Sequence, residues 1–214
     1  MTSGFTGWAE SCCDWLQEAA RGWPVEIKEY FLGLLAIITG LAISDMVVSV
    51  HALLRRFGRT RWDWLPMAAA SLVFVVIVRS WWIAWYTDWT NTPLWQFLLI
   101  LIQLICMFLA AKAVLPDEGE ALDLDMMEHY RSSNRYVWSA LIGMILAFAA
   151  AAILNRLGSA ERMVAWFFEW GWELPIYCVP LILLIAVQRM ILHRVIVPTL
   201  LIAWLVLNGG SIMQ

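Results

Sequence analysis

The residue whose type and position could carry chemistry is Asp45, an acid set inside a mostly apolar run from Tyr30 to Leu54. A charged side chain near the middle of a bilayer costs ~2.5–3.5 kcal/mol on insertion scales, so an acid there must be neutralised, paired or hydrogen-bonded. Two roles follow for Asp45. It is either a carboxylate that carries a proton or coordinates a cation, or an acid that fixes helix packing through a hydrogen bond, with Ser49 one turn along as a partner. Arg79 is the basic candidate. It lies one turn before the Trp-rich end of a second apolar run, where it could pair with an acid or snorkel to the interface.

Weaker candidates lie elsewhere. Glu169 and Glu173 are four apart, a spacing that shares one helical face, and they sit among Trp166, Trp170 and Trp172, as expected of an outer interface. His51, His129 and His193 fall on one side of the membrane in the topology below, which admits a metal or haem because His is the commonest metal ligand. Their spacings match no local motif, and no metal ligand set, cofactor or catalytic group is assigned. Lys112, near the inner end of a third apolar run, can snorkel. Cys12 and Cys13 are adjacent in the N-terminal segment, Cys106 and Cys178 lie inside apolar runs, and the four have no zinc or redox spacing.

The elements that would position these groups follow from composition. The chain is 62% hydrophobic and 14% charged, where soluble domains carry roughly 25% charged residues. A net charge of -3 gives no basic surface for nucleic acid. The expected fold is an all-α polytopic transmembrane bundle of about six spans, near 30–54, 65–86, 94–115, 136–154, 166–187 and 191–207, forming one domain over 29–214. Residues 1–28 form a separate extracytoplasmic segment in which Trp8, Trp15, Leu16 and Trp23 are spaced for a short interfacial helix ended by Pro24. Most of the fifteen Trp residues cluster at the ends of apolar runs, as interfacial anchors do. The last third is interrupted by Pro175, Pro180 and the Gln188–Arg194 break, so two shorter spans joined near Arg189 are expected there.

Arg55, Arg56, Arg59 and Arg61 fall within seven residues between the first two runs. The positive-inside rule makes that loop cytoplasmic and the N-terminus external. Nine Lys and Arg residues are then inside and four outside, with Arg79 within a span. Three spans followed by three would be inverted in orientation, as in inverted-repeat transporters. Trp62-Asp-Trp64-Leu-Pro66 and Trp170-Gly-Trp172-Glu-Leu-Pro175 are the candidate echo, with Arg79 and Arg189 at similar distances beyond each proline.

Within the first run, Ala42, Asp45, Ser49 and Ala52 share one side, Gly33, Gly40, Ser44 and His51 a second, and Leu32, Ile43, Val47, Val50 and Leu54 a third. Small residues let membrane helices approach closely. The first span is therefore expected to be central, with neighbours on two sides and lipid on the third.

The first span LGLLAIITGLAISDMVVSVHALLRR, the second-span motif RSWWIAWY, the third-span ending AAKAVLPDE and the segment EHYRSSNRYVW together resemble a group of uncharacterised bacterial multi-pass membrane proteins. The resemblance covers roughly the first two thirds of the chain. It implies a bacterial inner-membrane location and no particular activity. Two functions remain: a small ion, proton or solute translocation protein using Asp45, or a non-catalytic accessory or assembly subunit of a larger membrane complex. The expected partners are the lipid bilayer and a second copy or another membrane protein.

Overall fold

A computed structural model describes residues 27–87, 93–116, 125–157, 160–171 and 173–209. The expected interfacial helix in 1–28, with Cys12, Cys13 and Pro24, and the acids from Asp117 to Asp123 lie outside the described residues. The fold is all-helical: α1 Ile27–Arg55, α2 Trp64–Tyr86, α3 Leu94–Val114, α4 Met126–Leu154, α5 Ala160–Trp166, a π-helical stretch Phe167–Gly171, α6 Glu173–Ala186 and α7 Met190–Gly209. An α-helix satisfies its own backbone groups within the segment, which apolar surroundings require. α1 to α4 are each long and apolar enough to cross a membrane. α6 is only 14 residues long and α7 20.

Two of the helix starts are set by acids. Asp63 precedes α2 and accepts from the Leu65 amide at 2.9 Å. Asp125 precedes α4 and accepts from the amides of Met127 and Glu128. Each satisfies backbone donors that the first turn leaves without a partner. The cap at Asp125 starts α4 ten residues before the expected Tyr136. Its first turns are polar but genuinely helical, with Tyr130 and Asn134 buried and Arg131, Ser132 and Arg135 exposed.

α2 is the hub, packed against α1, α3, α4 and α7, while α6 packs on α4 and α7. The most extensive contact joins α3 to α4. Gly143 permits it, because a Cβ there would meet Cys106 Sγ at 3.1 Å. The expectation that the first span is central is corrected here. α1 packs on α2 and α3 along one face, through Leu35, Thr39, Ala42, Met46, Ser49 and Leu53. Gly33, Gly40, Ser44 and His51 are all exposed, and nothing lies within 4 Å of a Cβ added at either glycine.

The two ends of the bundle differ in chemistry. At one, the 56–63 loop, the start of α4 and the α6–α7 break come together. Met126 N–H donates to Arg61 O at 3.3 Å, and Arg194 Nη2 donates to Asp63 Oδ2 at 3.0 Å. At the other, Phe31 meets Phe97 edge-on at 5.1 Å, and Trp81, Trp82, Trp85 and Tyr86 are exposed in a belt. We refer to these as the arginine end and the aromatic end.

The fifth expected span, 166–187, is resolved into pieces. α5 and the π-helical stretch precede α6, and the chain leaves helix at Val187–Arg189 before α7. The break near Arg189 thus matches its expected place. The two prolines of the candidate echo both fall in first helical turns, of α2 and α6, but its arginines part company: Arg79 is inside α2, and Arg189 lies in the break.

Candidate functional site

Asp45 is held by a residue from another helix. Its Oδ1 accepts a hydrogen bond from Lys112 Nζ at 2.9 Å, joining α1 to α3. Neither Ser49 nor Arg79, the expected partners, makes this bond. Ser49 is buried in the packed face of α1. The Arg79 guanidinium lies over the Trp204 ring of α7, 4.8 Å from its centroid, in cation–π contact.

Lys112 is two residues from the end of α3, so Asp45 lies near the level of the last turn of that helix. α1, at 29 residues, rises about 43 Å against a hydrocarbon core of ~30 Å. α1 is therefore longer than a straight crossing requires. The pair sits at the side of the bundle, with Lys112 44% and Asp45 27% exposed. The second oxygen, Asp45 Oδ2, is buried and accepts no hydrogen bond.

A half-open cavity of about 190 Å³ lies between α1 and α2, lined by Ala36, Thr39, Gly40, Ile43, Ile77, Val78 and Trp81. Asp45 is not on its wall. Thr39 contributes no free hydroxyl proton, because Oγ1 donates to Leu35 O at 2.7 Å. The cavity suits an apolar group.

Two of the histidines act on backbone. His129 Nε2 lies 3.3 Å from Ala113 O, one of the last carbonyls of α3. His193, fully buried, has Nε2 3.1 Å from Val187 O and Nδ1 2.9 Å from the Tyr130 hydroxyl. A carbonyl only accepts, so Nε2 carries the proton, and in the neutral ring Nδ1 accepts from Tyr130. Gln188 Nε2 likewise donates to Leu184 O and Ile185 O. Helix ends leave their last carbonyls without intrahelical partners, and these side chains supply the donors. His51 is exposed on the open side of α1. Among the described residues no three His, Cys, Asp or Glu side chains are placed to hold a metal ion. Glu169 falls in the π-helical stretch and Glu173 opens α6; their side chains lie outside the described residues.

Tyr130, Asn134 and Trp138 were missed as candidates. They recur at four-residue spacing on α4 and are buried to 2%, 0% and 0% exposure. Their four-residue recurrence, which places them on one helical face, was the available signal. From sequence alone Lys112 reads as a snorkelling group at the inner end of α3.

With four helices long and apolar enough to cross a bilayer, exposed Trp at one end and a polar, hydrogen-bonded second end, the chain is a multi-pass membrane protein. No protein-family model matches it, and neither do curated proteins or solved structures.

Proposed function

We propose that the chain is a non-catalytic membrane subunit, an assembly component that docks a further transmembrane helix on the outer face of α1, in the first instance from a second copy of itself. The observation that carries this is the open stripe of Gly33, Gly40, Ser44 and His51. At about 100° per residue it lies opposite Leu35, Ala42, Met46 and Leu53, by which α1 packs on its own bundle. Lipid tails provide no hydrophobic drive for helix association, so small residues that let backbones approach mark packing faces. Gly40 also borders the apolar cavity, which a partner side chain would fill. Two copies meeting through the same stripe form an isologous, two-fold contact. The Asp45–Lys112 pair is then a structural tie that holds α1 in place from behind.

In this proposal α6 and α7 complete six crossings, with α5 and the π-helical stretch extending α6. The arginine end faces the cytoplasm and the membrane is a bacterial inner membrane. Gly40→Leu tests the docking face. The wild-type chain should run as a dimer by light scattering in mild detergent, and the variant as a folded monomer whose Tm no longer depends on protein concentration. A monomeric wild type that also brings down no stoichiometric membrane partner contradicts the proposal.

A second function, proton or cation translocation, is favoured by Asp45 Oδ2, a buried carboxylate oxygen that accepts no hydrogen bond while Lys112 holds Oδ1. It requires reconstituted liposomes to show proton or cation flux that Asp45→Asn abolishes. Flux equal to that of protein-free liposomes removes it.

A further inference from the structure

Inside the arginine end, α4 presents a polar stripe whose hydrogen bonds do not close. Asn134 Nδ2 donates to Arg131 O at 3.1 Å, which fixes the amide orientation, because a carbonyl cannot donate in return. That leaves Asn134 Oδ1 buried with no donor. One turn further on, the Trp138 indole N–H is buried with no acceptor. One turn back, the Tyr130 hydroxyl proton is committed to His193 Nδ1, and its oxygen retains lone pairs that can accept. The Tyr130 and Trp138 rings meet edge-on, with centroids 6.5 Å apart. Buried polar groups are nearly always partnered, by protein or by ordered water.

We propose that one ordered water molecule is bound between Trp138 Nε1, Asn134 Oδ1 and the Tyr130 hydroxyl oxygen. The site offers one donor and two acceptors. A cation would face the indole N–H, and an anion would face two oxygen lone pairs. A water accepts once and donates twice, which matches all three groups and gives the roughly three hydrogen bonds typical of buried waters. It closes a continuous chain from Trp138 through the water to Tyr130, then His193, then the Val187 carbonyl, linking α4 to α7 and to the end of α6. The site uses none of the residues of the α1 docking face, so the two proposals stand or fall separately.

The full chain in lipid nanodiscs, labelled with ¹⁵N at the indole nitrogens, tests it by NMR. Trp138→Phe identifies the Trp138 resonance by its loss. The bound water predicts a cross-peak between the Trp138 indole proton and the water resonance, with the sign of a long-lived complex. In Tyr130→Phe, which adds no bulk, the cross-peak persists because Trp138 and Asn134 still hold the water. In Asn134→Leu it is lost, because a branched apolar side chain replaces the acceptor and fills the water's place. A wild-type indole proton with no water cross-peak overturns the proposal, whether it is bonded directly to Asn134 or Tyr130 or to nothing. So does a cross-peak that vanishes in Tyr130→Phe but survives in Asn134→Leu, since it then arises from the exchanging hydroxyl.

Discussion

α1 and α2 look alike as sequence, both long, apolar and dotted with small residues, yet they sit oppositely in the bundle. Of the most apolar stretch of each, 39% is buried in α2 and only 22% in α1. Ala69, Ala70 and Ala84 of α2 are covered by its own neighbours. α1 carries two small-residue sides, and the chain covers only the one holding Ala42 and Ser49. Small residues on a membrane helix announce that something packs there. They do not announce whether that neighbour belongs to the same chain.

The contrast is sharpest in the response to truncation. Leu65, fully buried at the start of α2, should lose about 2–5 kcal/mol as Leu65→Ala, the usual range for a large core side chain. Val47→Ala on the outer side of α1, where the side chain is exposed, should barely change unfolding in the monomer. Equal losses in a denaturation series on the two variants would break the distinction between hub and flank.

The tie that holds α1 comes next in size. Lys112→Met strands the Asp45 carboxylate and should cost about 1–3 kcal/mol, as removing one partner of a charged hydrogen bond does. Pairing it with Asp45→Leu should recover most of that loss, because both charges are then gone. A double variant less stable than Lys112→Met alone would show that Asp45 has a role apart from Lys112.

The smallest effect is expected at the α3–α4 contact. Gly143→Ala presses its new methyl against Cys106 Sγ and should lose to that contact about the 1 kcal/mol that alanine otherwise gains over glycine inside a helix. Cys106→Ala removes the atom it meets, so thermal melts should show the loss largely relieved in the double variant. An unrelieved loss would place the strain elsewhere.

How much of this was legible varies by element for physical reasons. The second and third spans, expected at 65–86 and 94–115, are Trp64–Tyr86 and Leu94–Val114, because each is predominantly apolar and flanked by polar or helix-breaking residues. α4 began ten residues early since hydropathy locates where lipid ends, whereas the helix ends where Asp125 caps it. Lys112 was not found as the partner of Asp45 because residues 67 apart are brought level only by the relative heights of two helices. His129 and His193 looked like ligands while the helix ends whose carbonyls they satisfy were unknown.

The docking face of α1 is tested most directly by cysteine cross-linking in native membranes, in a chain whose four natural cysteines are replaced. A cysteine at Gly40, on the open stripe, should form a disulfide-linked dimer on mild oxidation, and so should one at Ser44. A cysteine at Ala42, fully buried on the opposite side, should not. Cross-linking at position 42 but not at 40 or 44 would contradict the account, as would dimers that form equally from all three.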